Sequence, residues 1–219
     1  MATTDDYGQG VSIASLADAP NAEALARNIA NAIVKQSILR YTSASQRNAT
    51  ITSPEEGMVA YLKDTDLLTV YTGTAWLPLL GTTVGDKKND GYEAKATSYS
   101  TAFTAGSYEH CGVSWVAPLS GKVKITVGAR VQNSSSAGSL ISPETRLGST
   151  VGSGAIVETP TDSIGYSHYG TTYARGTAAH LLTGLTPGAS YNTRLLHRCS
   201  VTGETAYFAF REVIVEPVS

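Results

Sequence analysis

The first sustained pattern of apolar and polar positions is helical. In residues 21–40, NAEALARNIANAIVKQSILR, the positions Ala22, Leu25, Ile29, Ala32, Gln36 and Leu39 recur at alternating steps of three and four. That spacing lines them up as a short coiled-coil seam. Asn21 or Asp18 can cap the helix start, and Pro20 is tolerated in a first turn. Glu23 near the start and Lys35 and Arg40 near the end suit the helix dipole. Alanines at 22, 24, 26, 30 and 32 raise propensity and let a neighbour approach closely. A helix this short is marginal alone in water, so its stripe needs a cover. The cover is either the chain's own β-structure or copies of the chain. The seam, with Gln36 as a polar position that fixes register, favours copies.

Beyond residue 50 the period changes to two. Met58 to Leu62 and Leu67 to Tyr71 read as strands joined through Asp64-Thr65-Asp66, whose side chains favour a tight turn. Trp76, Leu77, Leu79 and Leu80 are expected to fold back on this hairpin or on the helix, because an isolated hairpin is marginal. Further on, Val123, Ile125, Val127, Ala129 and Val131 alternate with Lys122, Lys124, Thr126, Gly128 and Arg130. Tyr191, Thr193, Leu195, His197 and Cys199 form a second such face. More strands are expected at Thr97–Thr104, Gly112–Ala117, Gly154–Glu158, Ala178–Leu182, Thr205–Phe210 and Arg211–Glu216, the last two as one bent strand. Short strands with frequent turns predict a two-sheet sandwich.

The predicted organisation is mainly β. An extended arm spans 1–20, a short oligomerising helix 21–40 and a small β-hairpin module 41–80 that opens with a polar connector. A linker, 81–91, then leads to a C-terminal, jelly-roll-like β-sandwich over 92–219. The arm is expected to order against another subunit or a larger particle, or to fray.

Composition narrows the function classes. The 219 residues carry 16 basic and 18 acidic side chains, so no basic field exists for a nucleic acid backbone. Charged residues make up 16%, and tyrosine, at 12, is the main aromatic. A surface poor in charge suits packing against copies or neighbours. The start of the chain lacks a basic region followed by an apolar run, so no signal peptide is expected, and no segment is apolar enough to insert in a membrane. Cys111 and Cys199 are expected to be free and partly buried, as in a reducing compartment.

Catalytic, metal and cofactor signatures are missing. His110, His168, His180 and His197 show no metal-ligand spacing, and His180 and His197 read as partners across a sheet. Asp162, Ser163 and His168 lack the context of an activated nucleophile. The hairpin acids Glu55, Glu56, Asp64 and Asp66 have no cleft for glycoside hydrolysis. The chain is therefore expected not to be an enzyme. The stretch with an interaction character is 166–175, where Tyr166, His168, Tyr169, Tyr173 and Arg175 stand among turn-forming residues. These are expected to contact another subunit or a sugar-bearing surface.

The string PEEGMVAYLKDTDLLTVYTGTAW resembles a recurring module of structural proteins of tailed bacteriophages, frequent in tail, baseplate and fibre proteins. The matching residues are Gly57, Tyr61, Asp64, Leu67, Tyr71, Gly73 and Trp76, which belong to a folded hairpin and not to a catalytic site. Upstream, RYTSASQRNATITS is similar to proteins of phages infecting actinobacteria, and the likeness covers roughly residues 7–80. The piece LTGLTPGASY resembles the tyrosine-corner turn of fibronectin-type sandwiches, with Tyr191 in the corner position. The phage resemblance implies a virion structural protein, assembled in the host cytoplasm. It would be a homotrimeric tail-tip or fibre component that contacts other virion proteins through its arm and a host cell-surface glycan through its head. The alternatives are a capsid decoration or minor capsid protein and, less favoured, a virion-associated cell-wall or polysaccharide hydrolase.

Overall fold

The computed structural model describes residues 3–4, 12–13, 21–104 and 109–218. Apart from one small pairing, of β1 (Thr3–Thr4) with β2 (Ser12–Ile13), the predicted arm lies outside the described residues. The chain divides into two compact units, Met1–Leu79 and Leu80–Ser219.

In the first unit, helix α1 (Ala22–Gln36) starts where Asn21 Oδ1 accepts the Ala24 N–H at 2.9 Å. It ends at Ser37, which is extended, and the chain enters strand β3 (Leu39–Tyr41). This corrects the predicted helix end and seam. Leu39 and Arg40 run parallel to β4 (Val59–Leu62), because the sheet takes up their backbone hydrogen bonds. The predicted polar connector contains a second helix, α2 (Ala44–Thr50). Ser43 Oγ accepts the Gln46 N–H at 3.2 Å, and Gln46 Oε1 accepts the Thr42 N–H at 2.6 Å. This is a variant of the capping box, spelled by Ser43 and Gln46 three residues apart, in which Gln46 reaches back to the residue before the cap. The predicted hairpin is present as β4 and β5 (Leu67–Tyr71), and β6 (Trp76–Pro78) adds a strand to give the order β3-β4-β5-β6. Arg47 of α2 is buried over this sheet. Its Nη1 donates to Thr69 Oγ1 at 3.0 Å and its guanidinium stacks 4.4 Å from the Trp76 ring. Met58, Ala60 and Leu62 complete a small core.

The second unit begins earlier than the sequence pattern predicts. β7 (Val84–Lys88) occupies the expected linker and pairs with the last strand, β16 (Ala206–Pro217). Its charges hid it, and they suit an edge strand. Asp86 Oδ2 accepts the Gly112 N–H at 2.9 Å, and Lys88 pairs with Glu109 at 2.9 Å. Next come β8 (Tyr92–Ala94), β9 (Gly112–Val116), β10 (Val123–Asn133), β11 (Gly138–Leu147) and β12 (Ile156–Glu158). β13 (Tyr166–Tyr169), β14 (Ala174–Leu182) and β15 (Ser190–Cys199) precede β16. The strand expected at Thr97–Thr104 is reduced to a single bridge between Ser100 and His197.

One sheet has the order β14-β10-β16-β7, with β8 also on β16; the other has β12-β11-β15-β9, with β13 also on β11. With β7/β8 and β12/β13 each counted as one interrupted strand, the sheets contain strands 1-8-3-6 and 2-7-4-5 of an eight-stranded chain. That order is a jelly roll. The predicted inner faces are correct. Val123, Ile125, Val127, Ala129 and Val131 of one sheet share a core with Tyr191, Leu195 and Cys199 of the other. The predicted tyrosine corner is present: the Thr186 N–H donates to the Tyr191 hydroxyl at 3.0 Å.

β11 is the strand the sequence concealed. Most of it is buried, yet it carries Ser139, Ser142, Glu144 and Thr145, and Pro143 stands at its middle. β13 pairs with residues 138–141 and β12 with residues 145–146, so Pro143 falls in the gap between them. A proline is tolerated there because that side carries no ladder. At the end of β11, the Gly154 turn (φ +95) passes so close to Leu147 that a Cβ would lie 1.8 Å from its carbonyl oxygen.

Candidate functional site

The strand β16 carries the irregularity that builds the site. Against β10, Gly128 faces Glu212 while Arg130 faces Ala209, so Phe210 and Arg211 together oppose Ala129. This is a β-bulge, with Phe210 held at φ 49, a left-handed conformation that costs a bulky residue energy. The bulge changes the parity of the strand. Arg211 turns into the core, 1% exposed, with its guanidinium 5.2 Å from the Tyr92 ring and 5.1 Å from the Phe103 ring. Its Nη2 donates to the Glu109 carbonyl at 3.2 Å, and burial pulls its pKa down from the ordinary arginine value.

Phe210 turns the other way, onto the outer face, where it meets two arginines. The Arg130 guanidinium lies 4.9 Å from the Phe210 ring and 4.7 Å from the Tyr173 ring, so it is layered between them. Arg175 lies 5.9 Å from Phe210 and pairs with Glu212 at 3.2 Å. Arg130 and Arg175 are direct cross-strand partners, a like-charge pairing that is unfavourable. Glu212 neutralises Arg175. Among the described residues, no ion pair neutralises Arg130, and its Nε is buried without a hydrogen-bond partner. A cavity of about 370 Å³ opens beside Arg130, walled by Tyr92, Glu93, Tyr173, Tyr207 and Phe208.

The interaction stretch at 166–175 is not a continuous loop but a strand, a turn and a strand. Tyr166 is half-buried against the core, and a Cβ on Gly176 would lie 2.5 Å from its ring; burial raises its pKa. Its expected surface role is thereby corrected, since the pleat of β13 turns it inward. His168 Nε2 lies 3.1 Å from the Thr172 carbonyl, and Tyr169 is exposed over Gly138. Only Tyr173 and Arg175 join Arg130 and Phe210. No local signal marked Arg130 or Phe210, because the first read as the polar side of an alternating strand and the second as strand filler.

The other polar groups are structural. His180 and His197 are not partners, since they belong to different sheets. His180 bridges to Glu158 at 2.9 Å, whereas His197 is buried, with its ring 4.5 Å from Phe103 and 4.9 Å from Phe208. Asp162 binds Arg198, with Nε donating at 3.0 Å, and accepts from the Tyr99 hydroxyl at 2.9 Å; Arg198 above all holds its carboxyl below the usual range. The triad of Asp162, Ser163 and His168 is therefore not assembled: Asp162 serves Arg198, and the His168 ring faces a carbonyl. Burial pushes Glu144 up, but Arg146 and Arg194, donating at 2.6 and 2.8 Å, outweigh it and hold the carboxyl low. Cys111 and Cys199 are free, as expected, but buried outright. Burial pushes the Cys111 thiol up to about 12, which leaves no reactive thiolate near neutral pH. Among the described residues no cluster of His, Cys, Asp and Glu could hold a metal ion, and no helix is long and apolar enough to cross a membrane.

The seam positions that remain on α1, Ala22, Leu25, Ile29, Ala32 and Gln36, have no buried member. Leu25 is 39%, Ile29 41% and Ile33 58% exposed, and Val34 and Ile38 are exposed as well.

No family model matches this chain. No curated protein matches it either. Among solved structures, it is similar to one of the infectious bursal disease virus Gx strain, with 12% identity and a TM-score of 0.37 over 70% of this chain and 36% of that one. It is also similar to the CBM22-1 xylan-binding domain of Paenibacillus barcinonensis Xyn10C, with 8% identity and a TM-score of 0.32 over 64% of this chain and 98% of that one. A third likeness is to the enzymatically active domain of bacteriophage CBA120 tailspike protein 4, with 10% identity and a TM-score of 0.28 over 62% of this chain and 19% of that one. The chain spans about a third of the length of the first of these.

Proposed function

We propose that this chain is a non-enzymatic structural protein of a tailed-phage virion, a tail-tip or fibre component that forms a homotrimer through α1. In this reading the first unit anchors and the jelly roll is displayed toward the host surface. The observation that carries the proposal is the uncovered apolar stripe of α1. Leu25, Ile29 and Ile33 lie on one helix face, flanked by small alanines, and none is buried. A stripe of that kind is stable only when covered, and the alternating three-and-four spacing of Ala22, Leu25, Ile29, Ala32 and Gln36 along it suits copies of itself. The hairpin's resemblance to phage virion modules supplies the setting. Several identical heads on one axis would bind a repetitive surface by avidity.

Light-scattering mass measurement on the purified chain tests the assembly. The wild type should be a trimer, and a Leu25→Glu, Ile29→Glu, Ile33→Glu variant should be a monomer with unchanged β-sheet circular dichroism. A monomeric wild type at high concentration removes the proposal. Jelly rolls also build viral capsids, so the fold itself favours a second reading as a capsid decoration. Antibody labelling of intact particles separates the two, at the tail or over the shell.

A further inference from the structure

We infer that the cavity beside Arg130 is a binding site for a carboxylate-bearing sugar, a uronic-acid type of residue within a glycan. This rests on the reading of the jelly roll as a host-contacting head and names the chemistry of that contact.

Four independent features converge there. The first is an unbalanced cation. Arg130 faces Arg175 across the sheet, Glu212 is spent on Arg175, and the buried Arg130 Nε has no partner among the described residues. The buried Nε itself is closed to a ligand, but Arg130 lines the cavity without an ion pair among the described residues, and an arriving carboxylate would supply one at the outer edge of its guanidinium. The second is shape. About 370 Å³ is the size of a small-ligand pocket, enough for one or two sugar rings. The third is the lining. Tyr173 and Tyr207 offer flat faces for the C–H side of a pyranose and hydroxyls for its rim, and Glu93 adds an acceptor for sugar hydroxyls. The fourth is the strained bulge, which holds Phe210 behind Arg130 and so fixes the plane of the guanidinium.

The charge count selects the ligand class. Arg130, without an ion pair among the described residues, suits a sugar ring that carries a single carboxylate beside its hydroxyl groups. A phosphate monoester, close to a dianion, would meet Glu93 with too little positive charge to offset it. A neutral sugar would leave Arg130 unsatisfied.

The test is titration of the intact 219-residue chain with trigalacturonic acid, followed by amide chemical shifts and calorimetry, with maltotriose and inorganic phosphate as separate arms. Saturable binding of trigalacturonic acid is expected, with perturbed residues clustered on β10, β14 and β16 and with at least tenfold weaker binding by maltotriose and by phosphate. Arg130→Gln should weaken binding at least tenfold. Tyr173→Ala, on an exposed turn where folding is not at stake, should weaken it severalfold. No saturable binding, equal binding of maltotriose or phosphate, or an unaffected Tyr173→Ala variant would overturn the assignment. Adsorption of the wild-type protein to host cells, measured alongside, keeps the two readings apart. Adsorption without trigalacturonate binding sinks the pocket and spares the host-contact reading, whereas trigalacturonate binding without adsorption does the reverse.

Discussion

His197 shows how much a single residue's meaning depends on what surrounds it. In the sequence it is one polar letter on an alternating strand. In the structure it is buried between Phe103 and Phe208, and burial first, then the nearby Arg211 charge, lowers its pKa well below the ordinary value. The folded protein therefore keeps His197 neutral, while the unfolded chain takes up a proton near pH 6.5 (about the model-peptide value). Its contribution to stability is complete above about pH 6.5 and declines as the pH falls, by about 1.4 kcal/mol per unit until the folded pKa is reached. His197→Phe should flatten that slope. Urea midpoints of the two proteins at about pH 7.5 and about pH 5 check this, and an unchanged slope would place the acid sensitivity elsewhere. Arg130 makes the same point, since its unusual situation exists only because the register sets Arg175 opposite it.

Elements were legible where a period was clean. The hairpin of β4 and β5, the long β10 and β15, and the bent β16 all follow from apolar alternation. β7 was missed because Asp86, Lys87 and Lys88 read as linker, although Lys88 pairs with Asp86 and Glu109 along an edge. β11 was missed because its buried positions hold hydroxyls, a glutamate and a proline that only neighbouring strands satisfy. α2 was missed although its capping box is written in the sequence, because its apolar content is low. That box should matter to the first unit. Ser43→Ala should cost about 1 kcal/mol, read from urea unfolding by Trp76 fluorescence in a Trp115→Phe background. Arg47→Ala should cost more, about 2 to 3 kcal/mol, since it removes both the Thr69 hydrogen bond and the stacking on Trp76.

At the scale of the whole molecule, the jelly roll has its own core, drawn from both of its sheets. A fragment of residues 80–219 should therefore fold alone and unfold in one cooperative step, with the same Trp115 fluorescence midpoint as in the full chain. A fragment cut at residue 92, where the sequence pattern places the boundary, should be less stable or insoluble. It lacks β7 and exposes the flank of β16 that β7 covers. The two fragments compared by denaturation decide between these boundaries.

Local periodicity and turn chemistry determined the fold class, the faces of the long strands, the tyrosine corner and the apolar stripe of the helix, because each depends on residues close in sequence. The order of the strands, the inward turn of Arg211, the pairing of Arg130 opposite Arg175 and the cavity beside it were decided only by tertiary structure. They arise from pairings between residues far apart along the chain, and a bulge in β16 sets which side chains face each other.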